Sequence, residues 1–194
     1  MYYIVGLGNP GDDYRATRHN VGWLVLDQFC VAQQLPQAVA SARYAGRVSE
    51  GVVKGGEITV LYPDTFMNHS GSAVRKLVPK GEADHLVVIY DDVDLPLGEH
   101  KVSFGRGSGG HNGIASIINS LGTADFIRVR VGIAPKSFWN GATKRPAGAK
   151  LPKYVLAPFT KAELAKVRTV GETVNQIIAT IVTEGYVAAM NRFN

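Results

Sequence analysis

The sequence predicts an α/β fold, a single domain in which a mixed, twisted sheet carries helices on both faces. Three observations lead there. Short apolar runs rich in β-branched or aromatic residues alternate with stretches of helical periodicity. Hydrophobic residues fill 45% of 194 positions, enough for a core that removes roughly 70% of the unfolded chain's surface from water. No internal repeat or low-complexity tract interrupts the pattern, so residues 1–194 read as one domain.

The first strand, residues 2–7, is an apolar run closed by the glycines of GLGNPG. Helical periodicity over about 19–34 leads to strands at 58–62 and 86–90, with a helix at 65–78 between them. Strands at 101–104 and 126–133 flank a helix at 112–121. A long helix from 161 to about 183 and a shorter turn around 186–191 follow. Residues 134–151, rich in Gly, Pro, Ala and Lys, read as a loop or flap whose length marks it as functional or disordered.

Bulk chemistry excludes several classes. No apolar run approaches the ~20 residues that span a bilayer, and no signal-peptide pattern opens the chain, so a cytoplasmic protein without a membrane partner is expected. Cys30, the lone cysteine, sits in an apolar helical stretch and reads as a buried structural thiol. The formal net charge of +5 is unevenly placed: residues 126–162 hold eight basic side chains and no acid. With Lys101 and Arg106 they form a basic block suited to a polyanion such as nucleic acid, or simply a solvated surface.

Two glycine clusters resemble nucleotide loops and fail as such. Gly6, Gly8 and Gly11 have G-x-G-x-x-G spacing after a strand, the dinucleotide fingerprint. Pro10 removes a backbone donor from that turn, Asp12 and Asp13 would repel a pyrophosphate, and no ribose-binding acid follows at the usual distance. In GRGSGGHNG, Gly105 and Gly110 have the outer spacing of a phosphate loop, but His111 and Asn112 stand where Lys and Ser/Thr are required. That loop still offers Arg106 and free amides to an anion or a carbonyl. The five histidines show no metal-ligand spacing and G-x-S-x-G is absent, so neither a metal centre nor a serine elbow is expected. What the chain offers is a set of carboxamides, one His and an acid cluster at strand ends: Asn9, His19, Asn20, Asn68, Asp91, Asp92, Asp94 and Asn112. Open α/β sheets bind ligands at the carboxyl ends of their strands.

In order and register, IVGLGNPG, YRATRHNVG, PDTFMNHSG, YDDVDLPLG, GSGGHNG, FIRVRVGI and AMNRF resemble the motifs of bacterial-type peptidyl-tRNA hydrolases over essentially the whole chain. The resemblance implies a cofactor-free, monomeric esterase that cuts the bond between a peptide's C-terminus and the 3′-terminal ribose of tRNA. By motif, His19 would be the general base, Asp91 would orient its imidazole, and Asn9 would contact the substrate beside the scissile ester. Tyr14, Phe66, Asn68 and Asn112 would hold the 3′ end and peptide backbone, while Lys101, Arg106 and Arg130 would clamp tRNA phosphates.

Elementary chemistry fits that division of labour. A histidine with a pKa near 6.5 can deprotonate water while a carboxylate fixes its tautomer. Carboxamides read a peptide main chain without placing charge beside phosphate, and aromatic rings stack on unpaired bases. Two departures from the family pattern stand out: Ser103 replaces a second basic residue, and Ala134, Pro135 and Lys136 precede an unfamiliar WNGATKRPAGAK segment. The rival classes are a non-catalytic RNA-binding protein on the same fold and a nucleotide-dependent oxidoreductase, the latter resting only on G-x-G-x-x-G.

Overall fold

A computed structural model of the chain describes residues 1–136, 143, 146 and 148–194. In chain order its elements are β1 (Tyr2–Gly6), α1 (Val21–Ala32), β2 (Val39–Ser41), β3 (Gly46–Val53), β4 (Gly56–Pro63), α2 (Ser70–Leu77) and β5 (Leu86–Pro96). Then come β6 (His100–Phe104), α3 (Asn112–Leu121), β7 (Ile127–Ala134), α4 (Lys150–Val155), α5 (Lys161–Glu184) and α6 (Tyr186–Phe193).

The strands form one sheet in the order β2-β3-β4-β1-β5-β7-β6. Its four central strands, β4, β1, β5 and β7, run parallel, and antiparallel pairings extend it at both edges. Central parallel strands are covered on both faces, which is why β1 and the first half of β5 are nearly continuous apolar runs. One face packs against α1, α5 and α6 through Ile4, Val87, Ile89, Val129 and Val131. The other packs against α2 and α3 through Val5, Leu7, Leu61, Val88 and Tyr90. In β7 the alternation of IRVRVGIA sends the apolar residues to the first face and both Arg128 and Arg130 to the second.

Close approach of α1 to the sheet explains the opening glycines. A side chain at Gly22 would lie 2.4 Å from the Ile89 carbonyl oxygen and 2.6 Å from that of Leu7, and one at Gly6 would lie 2.8 Å from the Gly22 carbonyl oxygen. The G-x-G spacing therefore seats a helix against β1 and β5. It brings the preceding 3-10 turn, Arg18–Asn20, to the strand ends.

Several boundaries differ from expectation. The hairpin strands β2 and β3 were not legible as strands, because glycine, serine and glutamate dilute their apolar alternation and β2 is largely exposed. The expected loop at 134–151 is shorter: Ala134 completes β7, and Lys150 and Leu151 begin α4. The rest of that expectation falls largely on 137–142, 144–145 and 147, outside the described residues. The helices expected from 19 and 65 begin instead at Val21 and Ser70, each after a single 3-10 turn. At the edge, the carboxamide of Asn194 accepts from the Val102 N–H and donates to its carbonyl, at 2.8 and 2.9 Å, capping β6.

Candidate active site

A cleft of about 770 Å³ opens at the carboxyl ends of β1, β4 and β5. His19, from the turn before α1, and Asp91, near the end of β5's regular register, meet in it. His19 Nδ1 lies 2.7 Å from Asp91 Oδ1. Asp91 is 3% exposed, and its neighbour Asp92 points the other way, accepting from the Asp94 N–H at 2.8 Å and from Arg130 Nε at 2.5 Å.

A third member was not singled out from the sequence. His111 Nε2 lies 2.9 Å from the same Asp91 Oδ1, while its Nδ1 accepts from the Ile114 N–H as the cap of α3. That acceptance fixes the tautomer: His111 carries its proton on Nε2 and donates it to Asp91. His19 correspondingly donates from Nδ1, which leaves the lone pair on its Nε2 to act as a base. The signal in the sequence was a single histidine in the glycine loop, one residue before a helix start.

The charges follow from this geometry. Burial alone would raise the Asp91 carboxyl, but His19 and His111 overcome it and hold Asp91 well below the usual carboxylate range. Burial disfavours the His19 imidazolium, yet the Asp91 carboxylate outweighs it and raises His19 above its ordinary value of 6.5. The ligand atoms of His19, Asp91 and His111 lie within 4.8 Å of one another, a grouping that could meet a metal ion. However, two ligands on a tetrahedral ion stand about 3.4 Å apart. The 2.7 and 2.9 Å contacts, with the His111 tautomer already set, are those of a hydrogen-bonded triad.

Asn9 is 6% exposed and doubly anchored. Its Oδ1 accepts from the Met67 N–H at 2.7 Å, and its backbone exchanges hydrogen bonds with the Asn20 side chain at 2.9 Å each way. The Asn9 Nδ2 donors are thereby left facing the cleft. Tyr14, Phe66, Asn68 and Asn112 all line it. Phe66, 54% exposed, meets the Tyr14 ring edge-on at 6.2 Å, an open aromatic platform at the rim. Arg106 and Arg130 also reach the cleft, but Arg130 is not the free cation the sequence suggested, because Asp92 already neutralises it. Lys101 lies outside the lining, exposed on β6 directly across from Arg130. Arg128, another residue the sequence reading left without a role, is 1% exposed and donates to the carbonyls of Arg106 and Gly107, pinning the glycine loop from beneath.

Comparison with known proteins places the chain in one family. A family profile described as peptidyl-tRNA hydrolase matches residues 3–194. The chain is 41% identical over 199 residues to the peptidyl-tRNA hydrolase of Thermodesulfovibrio yellowstonii, covering 100% of this chain and 99% of that one. It is 42% identical over 197 residues to that of Syntrophotalea carbinolica, covering 100% and 97%. The solved structure of peptidyl-tRNA hydrolase from Acinetobacter baumannii superposes with a TM-score of 0.85 at 26% identity, covering 100% of this chain and 94% of that one.

Proposed function

The chain belongs to the peptidyl-tRNA hydrolase family and cuts the ester of peptidyl-tRNA, and on that premise we propose that His19 is the general base of its reaction. The observation that carries the assignment is the 2.7 Å contact between His19 Nδ1 and Asp91 Oδ1, which aims a basic Nε2 into the cleft. Nε2 takes a proton from water as the water oxygen adds to the ester carbonyl. The tetrahedral intermediate then expels the ribose oxygen, which receives that proton back from the imidazolium. Asp91 stabilises the transient imidazolium, and the Nδ2 of Asn9 donates to the developing oxyanion. Asn68 and Asn112 bind the peptide main chain, so any side-chain sequence is accepted. Phe66 and Tyr14 stack on the unpaired bases at the tRNA 3′ end. Arg106, exposed at the cleft, faces the phosphates, with Lys101 and Arg130 paired across β6 and β7 on the adjoining surface. The reading needs no cofactor.

On this reading the whole chain works as one unit, as a monomer. The cytoplasm, where ribosomes make its substrate, is its place of action. No helix among the described residues is long and apolar enough to cross a membrane. The deciding assay offers purified protein N-acetyl-aminoacyl-tRNA and free aminoacyl-tRNA, with and without chelator. Chelator-insensitive hydrolysis of the blocked substrate is expected, with the free one cut far more slowly and His19→Ala about 10²- to 10⁴-fold slower. Near-normal turnover by His19→Ala would refute the assignment.

A further inference from the structure

Arg18 directly precedes His19 and is only 8% exposed, so its guanidinium needs partners inside the protein. It finds them in one place. Nη2 spans both carboxylate oxygens of Glu163 at 2.9 Å, and Nη1 reaches the carbonyls of Ala157 and Pro158 at 3.2 Å. The guanidinium lies over the Tyr154 ring at 4.5 Å and near the Phe159 ring at 5.5 Å. The backbone repeats the connection: the Arg18 N–H donates to Ala157 at 3.1 Å, and the Phe159 N–H donates to Ala16 at 2.9 Å. All these partners lie in α4, the start of α5 and the junction between them. The same α4 region supplies the apolar wall of the cleft through Leu151, Pro152, Val155 and Leu156, and Tyr154 ties it to β7 by donating to the Ile133 carbonyl at 2.6 Å.

This arrangement is poorly explained as a source of stability. A buried ion pair roughly breaks even against a packed apolar side chain, and the Arg18 Nε is buried without a hydrogen-bond partner among the described residues. It is well explained as a constraint. His19 sits on a single 3-10 turn with no side-chain cap, and Asp91 restrains only one ring nitrogen. A planar guanidinium fork with Nη2 on Glu163 and Nη1 on the two carbonyls fixes direction as well as distance.

We propose that Arg18 is a positioning residue: clamped by Glu163 and the α4–α5 junction, it locks the His19-bearing turn to the apolar wall of the cleft, so that base and substrate seat keep one geometry. The proposal rests on the reading of His19 as the base. Its test uses the full chain and N-acetyl-aminoacyl-tRNA. Arg18→Lys keeps the charge and loses the fork; kcat should fall about 10- to 100-fold, the effect of an ångström-scale misplacement, with KM little changed. Glu163→Gln keeps a hydrogen-bonding partner for Arg18 and a competent capping-box side chain for α5, so its loss should be smaller. The Nδ1 proton of His19, followed by NMR, should shift in Arg18→Lys and stay near its native position in Glu163→Gln. Native kcat in folded Arg18→Lys, or a change in KM alone, would overturn the proposal. Unfolding of both variants would make the clamp a stability element and overturn it equally. His19→Ala, run in parallel, separates the two readings: if it stays active, the base assignment fails whatever the clamp does.

Discussion

At the scale of single residues, the site turns on one carboxylate oxygen shared by two imidazoles. Because Asp91 raises His19 above 6.5, the imidazole is charged, and useless as a base, until pH passes that raised value. The acid limb of kcat/KM, which reports the free enzyme, should therefore lie above 6.5. In Asp91→Asn the carboxylate's influence is gone while burial still disfavours the imidazolium. The limb should move to lower pH even as the plateau falls, and a limb that stays put would show that another group titrates there. Since His19 and Asp91 act as a unit, the double variant should be little worse than His19→Ala alone; simple addition of the two losses would break the pairing. His111→Ala should cost less than either, because it removes one donor to Asp91 and leaves the base in place; a loss equal to that of His19→Ala would give His111 a direct part in the chemistry. Asn9 and Asp91 were legible because they follow apolar strands, and His19 because its TRHN motif carries the resemblance. His111 and Arg128 were not, since what they touch is set by loop path and strand register across distant segments.

At the scale of elements, the site depends on how closely α1 lies on β1 and β5. Gly22→Ala would place a methyl group 2.4 Å from the Ile89 carbonyl oxygen, against backbone that cannot yield like a side chain. Overpacking of this kind costs about 1–3 kcal/mol. The shift of α1 should also carry His19 away from Asp91, so activity should fall more steeply than the fraction folded, as read by parallel chemical denaturation and turnover. Loss of stability with native turnover would show that the turn is held independently of the helix. The sheet's centre was legible because buried parallel strands read as uninterrupted apolar runs. The β2–β3 hairpin and α4 were not: the hairpin lies at an edge where polar residues are tolerated, and α4 is a six-residue helix whose place depends on contacts with Arg18, Phe159 and β7.

At the scale of the whole molecule, the question is how much of the basic block confronts a polyanion. The stretch of residues 126–162 holds eight cations, yet the fold spends several of them internally. Arg128 is buried on carbonyls, Arg130 is paired with Asp92, and Lys136 lies 2.6 Å from Glu99. Arg106 is exposed at the cleft and makes no ion pair among the described residues. Each phosphate contact adds about 0.7 to 0.9 to the slope of log affinity against log salt, so Arg106→Ala should make that slope shallower by about that amount. Lys101→Ala, more distant from the cleft, should do so only if the tRNA body crosses β6. Arg130 is the informative case, because its charge is present but balanced. Asp92→Asn removes the balancing carboxylate while keeping a hydrogen-bonding partner for Arg130, and should tighten tRNA binding and steepen the slope with little change in kcat. The measurements are tRNA affinity at several salt concentrations on the slowed His19→Ala background, so that the substrate survives, and kcat of Asp92→Asn with His19 intact. An unchanged slope in Asp92→Asn would mean that Arg130 serves only to hold the end of β5 in place, and that the phosphate contacts lie elsewhere on the basic face.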